Sequence, residues 1–199
     1  MVPAMIEAFN SSPNFNTENM EGVVMKSEKL EFEDAYFTHS ITNFSIFNFQ
    51  DPLACVKEIY RTLKPDGQAV ITTWKRFGIG ECVHEVQRRV RPDLPLMGFS
   101  GPELHSEEAV VDLMVKAGFE KDELKVLDIT HVVKGEDLEG LKEFARSPFT
   151  DSARKGWTEE EKGRWGEVLE EVLEHEIGKF CGVRFEGWAV LGKKAPTLS

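Results

Sequence analysis

The chain has 199 residues, 41% apolar and 30% charged, with a net charge of −11. Those values suit one folded domain with a substantial core. The acidic balance argues against nonspecific nucleic-acid binding, which needs clustered Lys and Arg, and against an anionic membrane surface. No apolar run reaches the roughly eighteen residues that a membrane span needs. No basic stretch followed by an apolar one marks a secretory leader. Cys55, Cys82 and Cys181 are an odd number of cysteines without metal-ligand spacing. They predict reduced, structural thiols and a cytoplasmic protein.

Pro3 to Phe9 reads as a short helix, and Ser11 to Asn19 as a polar linker. Gly22 to Met25 is a short apolar segment expected to form a strand. A second strand is expected from Ala35 to Ser40, inside an aromatic-rich run. Asp51 and Pro52 fit a helix start, with a capping carboxylate and then proline at the first helical position. That helix runs to about Leu63, with Val56, Ile59, Tyr60 and Leu63 on its apolar side. Pro65 cannot continue it, and Gly67 offers the positive φ of a sharp turn. Gln68 to Trp74 is short, apolar and β-branched, the pattern of a strand buried on both faces.

Gly80 to Arg91 reads as helical, and Arg91 to Gly101, with its prolines, as a surface loop. Ser106 caps a helix through Lys116 whose buried stripe is Ala109, Val110, Leu113 and Met114. A strand follows from Lys125 to Val133, then a short helix from Leu138 to Phe144. Thr158 and Glu161 match a capping box that opens a helix running to about Ile177. The last strand is expected from Arg184 to Leu191.

Glu28 to Trp74 resembles the middle of a class I S-adenosylmethionine-dependent methyltransferase. The resemblance rests on Leu30, Phe32 and Asp34, the apolar helix after Asp51, and then Arg61, Leu63, Lys64, Pro65 and Gly67. Pro3 to Glu7 looks like the start of the helix after the family's second strand. The resemblance implies an α/β, doubly wound (Rossmann-like) sheet of order 3-2-1-4-5-7-6, with helices on both faces. It also implies S-adenosylmethionine as cofactor and a small-molecule substrate of secondary metabolism. We expect a single domain over residues 1–199. Residues 1–75 would be a remnant of the cofactor-binding half, and residues 76–199 the substrate-side half.

The family grips its cofactor with a Gly-rich loop after the first strand and an acidic residue after the second. Neither motif is found. No G-x-G precedes Gly78-Ile79-Gly80, which follows the wrong strand and reads as a turn. Where the family has Asp after its third strand, this sequence has Lys26, and Phe37-Thr38 replaces the family's Phe-Asp. A partial sheet lacking the first two strands is therefore expected, with weak or absent cofactor binding. Its unpaired fourth strand would need the Gly22–Met25 strand moved beside it, a partner chain at the exposed edge, or a longer native product.

The residues that match cofactor-proximal positions are Lys26, Ser27, His39 and Ser40. His39, at the expected C-terminal end of its strand, is the candidate general base, weighed against an ordinary loop histidine. Phe32, Tyr36, Phe37, Phe44, Phe47 and Phe49 read either as core or as the wall of a pocket for a planar aromatic substrate. Cys82 and His84 lack a second ligand cluster, so no metal site is expected. Trp157, Trp165 and Trp188 read as packing before they read as a lid. Three functional readings stay open. They are a methyltransferase, a non-methylating descendant that steers cyclisation or isomerisation, and a noncatalytic partner of another enzyme.

Overall fold

A computed structural model describes residues 3–12, 19–99 and 101–196. In chain order the elements are α1 (Pro3–Asn10), β1 (Phe37–Thr42), α2 (Pro52–Thr62), β2 (Leu63–Arg76), α3 (Gly78–Val90) and α4 (Glu107–Ala117). Then come β3 (Lys125–Val133), α5 (Asp137–Arg146), α6 (Glu159–Gly163), α7 (Trp165–Phe180) and β4 (Val183–Lys193). The polar linker expected over Ser11 to Asn19 falls largely outside the described residues.

The local signals behave as their chemistry dictates. The Asp51 carboxylate accepts the Ala54 N–H, and Pro52 opens α2. Ser106 accepts the Ala109 N–H at the start of α4, and Gly118, in the left-handed region, closes that helix. Thr158 and Glu161 complete a reciprocal capping box. The expected long helix is two, because the chain breaks at Arg164 after Gly163. Glycine weakens a helix interior, and the Trp165 indole N–H is held by the Ala145 carbonyl at 3.3 Å.

The four strands form one open sheet in the order β1-β2-β4-β3. β1 and β2 are parallel, joined by the α2 crossover, with Thr42 opposite Ile71. β4 runs antiparallel to both neighbours, and Val190 faces Ile71 on one side and Val126 on the other. This is the 4-5-7-6 portion of the order implied by the resemblance. α2 and α4 pack on one face over Ala69, Ile71 and Val190. α3 and α7 build a second cluster with Val183 and half-buried Phe185. Gly78 lets α3 sit directly on β4, since a Cβ there would lie 2.2 Å from the Arg184 carbonyl oxygen.

Three expectations are corrected. Gly22 to Met25 forms no strand; Val23 and Val24 are exposed, and the nearest pairing is a lone bridge between Lys26 and Lys29. With no neighbouring strand to accept its backbone groups, the segment has no reason to extend into one. The left-handed residue of the turn after α2 is Asp66 (φ 64°), not Gly67. Gly67 serves close approach instead, because a Cβ would stand 2.8 Å from the Lys64 carbonyl oxygen. Finally, β2 is buried on only one face throughout. On the other, Thr72 is buried, but Gln68 is exposed and Val70 and Trp74 are half-buried, while their neighbour Ile41 is 72% exposed.

Cys55 and Cys82 are buried, and burial pushes both thiols up to about 12, whereas Cys181 is exposed. Thiolate is the reactive form. An Ellman titration of the native protein should therefore find one fast thiol, removed by Cys181→Ser, and three after denaturation. Two fast thiols in the native state would contradict this packing.

Candidate functional site

In doubly wound sheets ligands bind beyond the carboxyl ends of parallel strands. Here that region begins where β1 gives way to Asn43 and Phe44. Phe44 takes a left-handed backbone, φ 44°, which for a bulky side chain costs about 1–3 kcal/mol. The turn is pinned from β2. The Phe44 N–H donates to the Thr72 hydroxyl at 2.7 Å, and that hydroxyl lies 3.0 Å from the Asn43 side-chain oxygen. The turn lays the Phe44 ring on Trp74, stacked with centroids 3.8 Å apart.

Below the ring lies Gly187, paired with Trp74 across β2 and β4. A Cβ at Gly187 would come within 2.9 Å of the Phe44 ring and 2.8 Å of the Thr73 carbonyl oxygen. This glycine thus makes room for the stack. Around Phe44 and Trp74 open two cavities. One, of about 320 Å³, lies on the sheet face against Ile129, Val133 and Phe185. The other, of about 370 Å³, lies at the strand ends against Phe47, Phe77, Phe99 and His105. His105 is the titratable side chain of the strand-end cavity, and its ring meets Phe47 edge-on at 5.3 Å.

Lys26 and Ser27 are brought together elsewhere. With Glu28 they line a cavity of mixed polarity, about 600 Å³, opposite Asn48 to Asp51, next to the start of α2. His39 and Ser40 are not among its lining residues. They sit inside β1 opposite Gln68 and Ala69, and the His39 Nδ1 lies 3.1 Å from the Thr38 hydroxyl. His39 is exposed and stands within its strand rather than at its end. The four family-matched positions therefore do not share one cavity.

The aromatic run divides in the same way. Phe32, Tyr36 and Phe37 cluster with one another, with centroids 4.8–5.4 Å apart. Phe49 lines the Lys26 cavity, while Phe44 and Phe47 line the aromatic one. Trp157 and Trp165 are buried packing. Trp188 lies under the Lys75 ammonium, which also pairs with Asp128. Sequence reading missed Trp74 and His105 as site residues. The one available signal was their position, at the end of a strand and just before a helix cap.

Residues 1–71 match the family model described as methyltransferase domain. The fold is methyltransferase-like. Among solved structures, the chain is similar to the YcgJ protein of Bacillus subtilis, with 17% identity and a TM-score of 0.48, over 98% of this chain and 80% of that one. It is similar to the cyclase SpnF, at 14% identity and a TM-score of 0.46, over 90% of this chain and 57% of that one. It is also similar to phosphoethanolamine N-methyltransferase 2 of Haemonchus contortus, solved with phosphomonomethylethanolamine and S-adenosylhomocysteine. There the identity is 18% and the TM-score 0.42, over 87% of this chain and 37% of that one. Among the described residues, no helix is long and apolar enough to cross a membrane.

Proposed function

We propose that this chain is a methyltransferase-like protein of small-molecule, secondary-metabolite biosynthesis whose acceptor lies in the strand-end aromatic cavity. The observation that carries this is the placement of the Phe44–Trp74 stack beyond the parallel pair β1 and β2. Aromatic walls and few polar groups suit a planar, uncharged acceptor. His105 is the cavity's candidate general base, able to take the proton of an acceptor O–H or N–H. His39, exposed on β1, is the competing assignment carried over from the family pattern.

S-adenosylmethionine would supply the methyl group, with Lys26, Ser27, His39 and Ser40 at the family-matched positions. The residues present fit it poorly. Lys26 brings a cation where an acceptor is needed, and the four positions are split between the cavity beside α2 and the β1 strand. We therefore assign this chain a weakened hold on the cofactor. A substrate-binding role without methyl transfer is the second reading, favoured by that same split.

Calorimetry with S-adenosylmethionine and S-adenosylhomocysteine should give dissociation constants weaker than about 100 μM, roughly 5 kcal/mol. Tighter binding would overturn the weakened hold. For the acceptor site, 2-naphthol should quench tryptophan fluorescence in the wild type, and Trp74→Phe should remove that component. In NMR spectra the His105 ring resonances should move on adding 2-naphthol while those of His39 stay. The reverse pattern would transfer the base to His39.

A further inference from the structure

The sheet-face cavity is not needed to hold a small planar acceptor, yet it shares two walls, Phe44 and Trp74, with the cavity that would. We propose that Phe44 is a movable partition between them, and that the ligand is an elongated or polycyclic uncharged molecule. Such a ligand displaces the ring and runs from the strand ends onto the sheet face. The inference rests on the acceptor-site reading and names the ligand's size and polarity.

Four features point this way. The Phe44 backbone is in the left-handed region, so moving it toward an ordinary conformation relieves strain instead of creating it. Its main-chain pin is one hydrogen bond, from its N–H to Thr72. Its ring rests on Trp74 above a glycine, with no side chain from Gly187 to lock it sideways. The space it would open is lined by Ile129, Val133 and Phe185. The ionisable side chains at that cavity are His131 and Glu186, and Glu186 is paired with Arg184 at 2.9 Å, so no unpaired carboxylate awaits a cationic ligand. A partition that closes most of the time lowers the apparent affinity for a long ligand by the fraction of time it stands open. A short ligand is unaffected.

The test uses two uncharged probes, 2-naphthol for the short ligand and Nile red for the long one, in fluorescence titrations. Two variants free the partition differently: Phe44→Ala removes the ring, and Thr72→Val removes the pin while keeping it. Nile red should bind both about tenfold more tightly than the wild type, and in Thr72→Val, which keeps the aromatic wall, 2-naphthol should change by less than about twofold. Unchanged Nile red affinity in whichever variant retains the native near-ultraviolet dichroism overturns the partition. Failure of 2-naphthol to bind the wild type overturns instead the acceptor-site reading on which the partition depends.

Discussion

Arg76→Ala will destabilise the protein by about 3–5 kcal/mol in urea denaturation, the range for breaking a buried ion pair. Its guanidinium is held between Glu81, at 2.9 Å, and Glu176, at 2.8 Å. It also donates to the Arg184 carbonyl. The side chains of Arg76 and Glu176 are only 13% and 11% exposed, whereas that of Glu81 is 55% exposed. Removing Arg76 strands the Glu176 carboxylate between α7 and the sheet, while Glu81 turns to water. The double variant Arg76→Ala/Glu176→Ala should therefore cost less than Arg76→Ala alone, because no uncompensated charge is left behind. Equal costs would mean that Arg76 acts through packing on Phe180, over whose ring it sits at 5.3 Å.

The second large effect belongs to Arg61, on the last turn of α2. It donates to the Leu30 and Phe32 carbonyls at 3.0 and 2.8 Å and to Asp34 at 2.7 Å. It also makes a two-point contact with Glu58, at 2.8 Å each. Glu58 in turn accepts the Leu30 N–H at 2.7 Å. One planar fork thus ties the irregular segment before β1 to a helix. Arg61→Ala should cost about 2–3 kcal/mol, on the scale of charged hydrogen bonds in a partly exposed site. For a chain of this size that is a melting temperature lower by about 5–10 °C. Arg61→Lys should recover little, since an ammonium cannot serve two carbonyls and a bidentate carboxylate together. Amide exchange at Leu30 should speed up in both variants, and unchanged exchange would refute the tether.

The tether also has a pH dependence. The Arg61 guanidinium holds the Glu58 carboxyl below its ordinary 4.5. A carboxyl lowered on folding adds stability that is fully present above its unfolded value and lost as pH falls through the folded one. Acid titration should therefore loosen residues 28–36 below about pH 4.5, and Arg61→Ala should flatten that response.

What could be read from the residues alone follows from how local each signal is. Asp51-Pro52, Ser106 and the Thr158/Glu161 pair act within one helical turn, and each helix starts where its cap is written. The Lys125–Val133 strand has the expected limits. Gly22 to Met25 failed as a strand because a strand needs partners, and partners lie outside the segment. The positive φ expected of Gly67 falls on Asp66, because the approach of the Lys64 carbonyl, not φ, decides which residue must lack a Cβ. The site was harder still. Trp74 meets Phe44 through the register of two strands and a left-handed turn, and nothing in either residue's neighbourhood announces the other.

At its outer side β1 offers the backbone groups of Phe37–Thr42 with no strand beside them among the described residues, and its sequence, FTHSIT, holds neither lysine nor proline. Those are the usual deterrents against edge-to-edge joining. The deterrent left to this molecule is its overall acidity of −11, a repulsion that reaches only about 10 Å in 0.1 M salt. Overall charge, and not the side chains of the strand itself, is thus the barrier this margin sets against pairing with a sibling molecule, and it falls as salt rises.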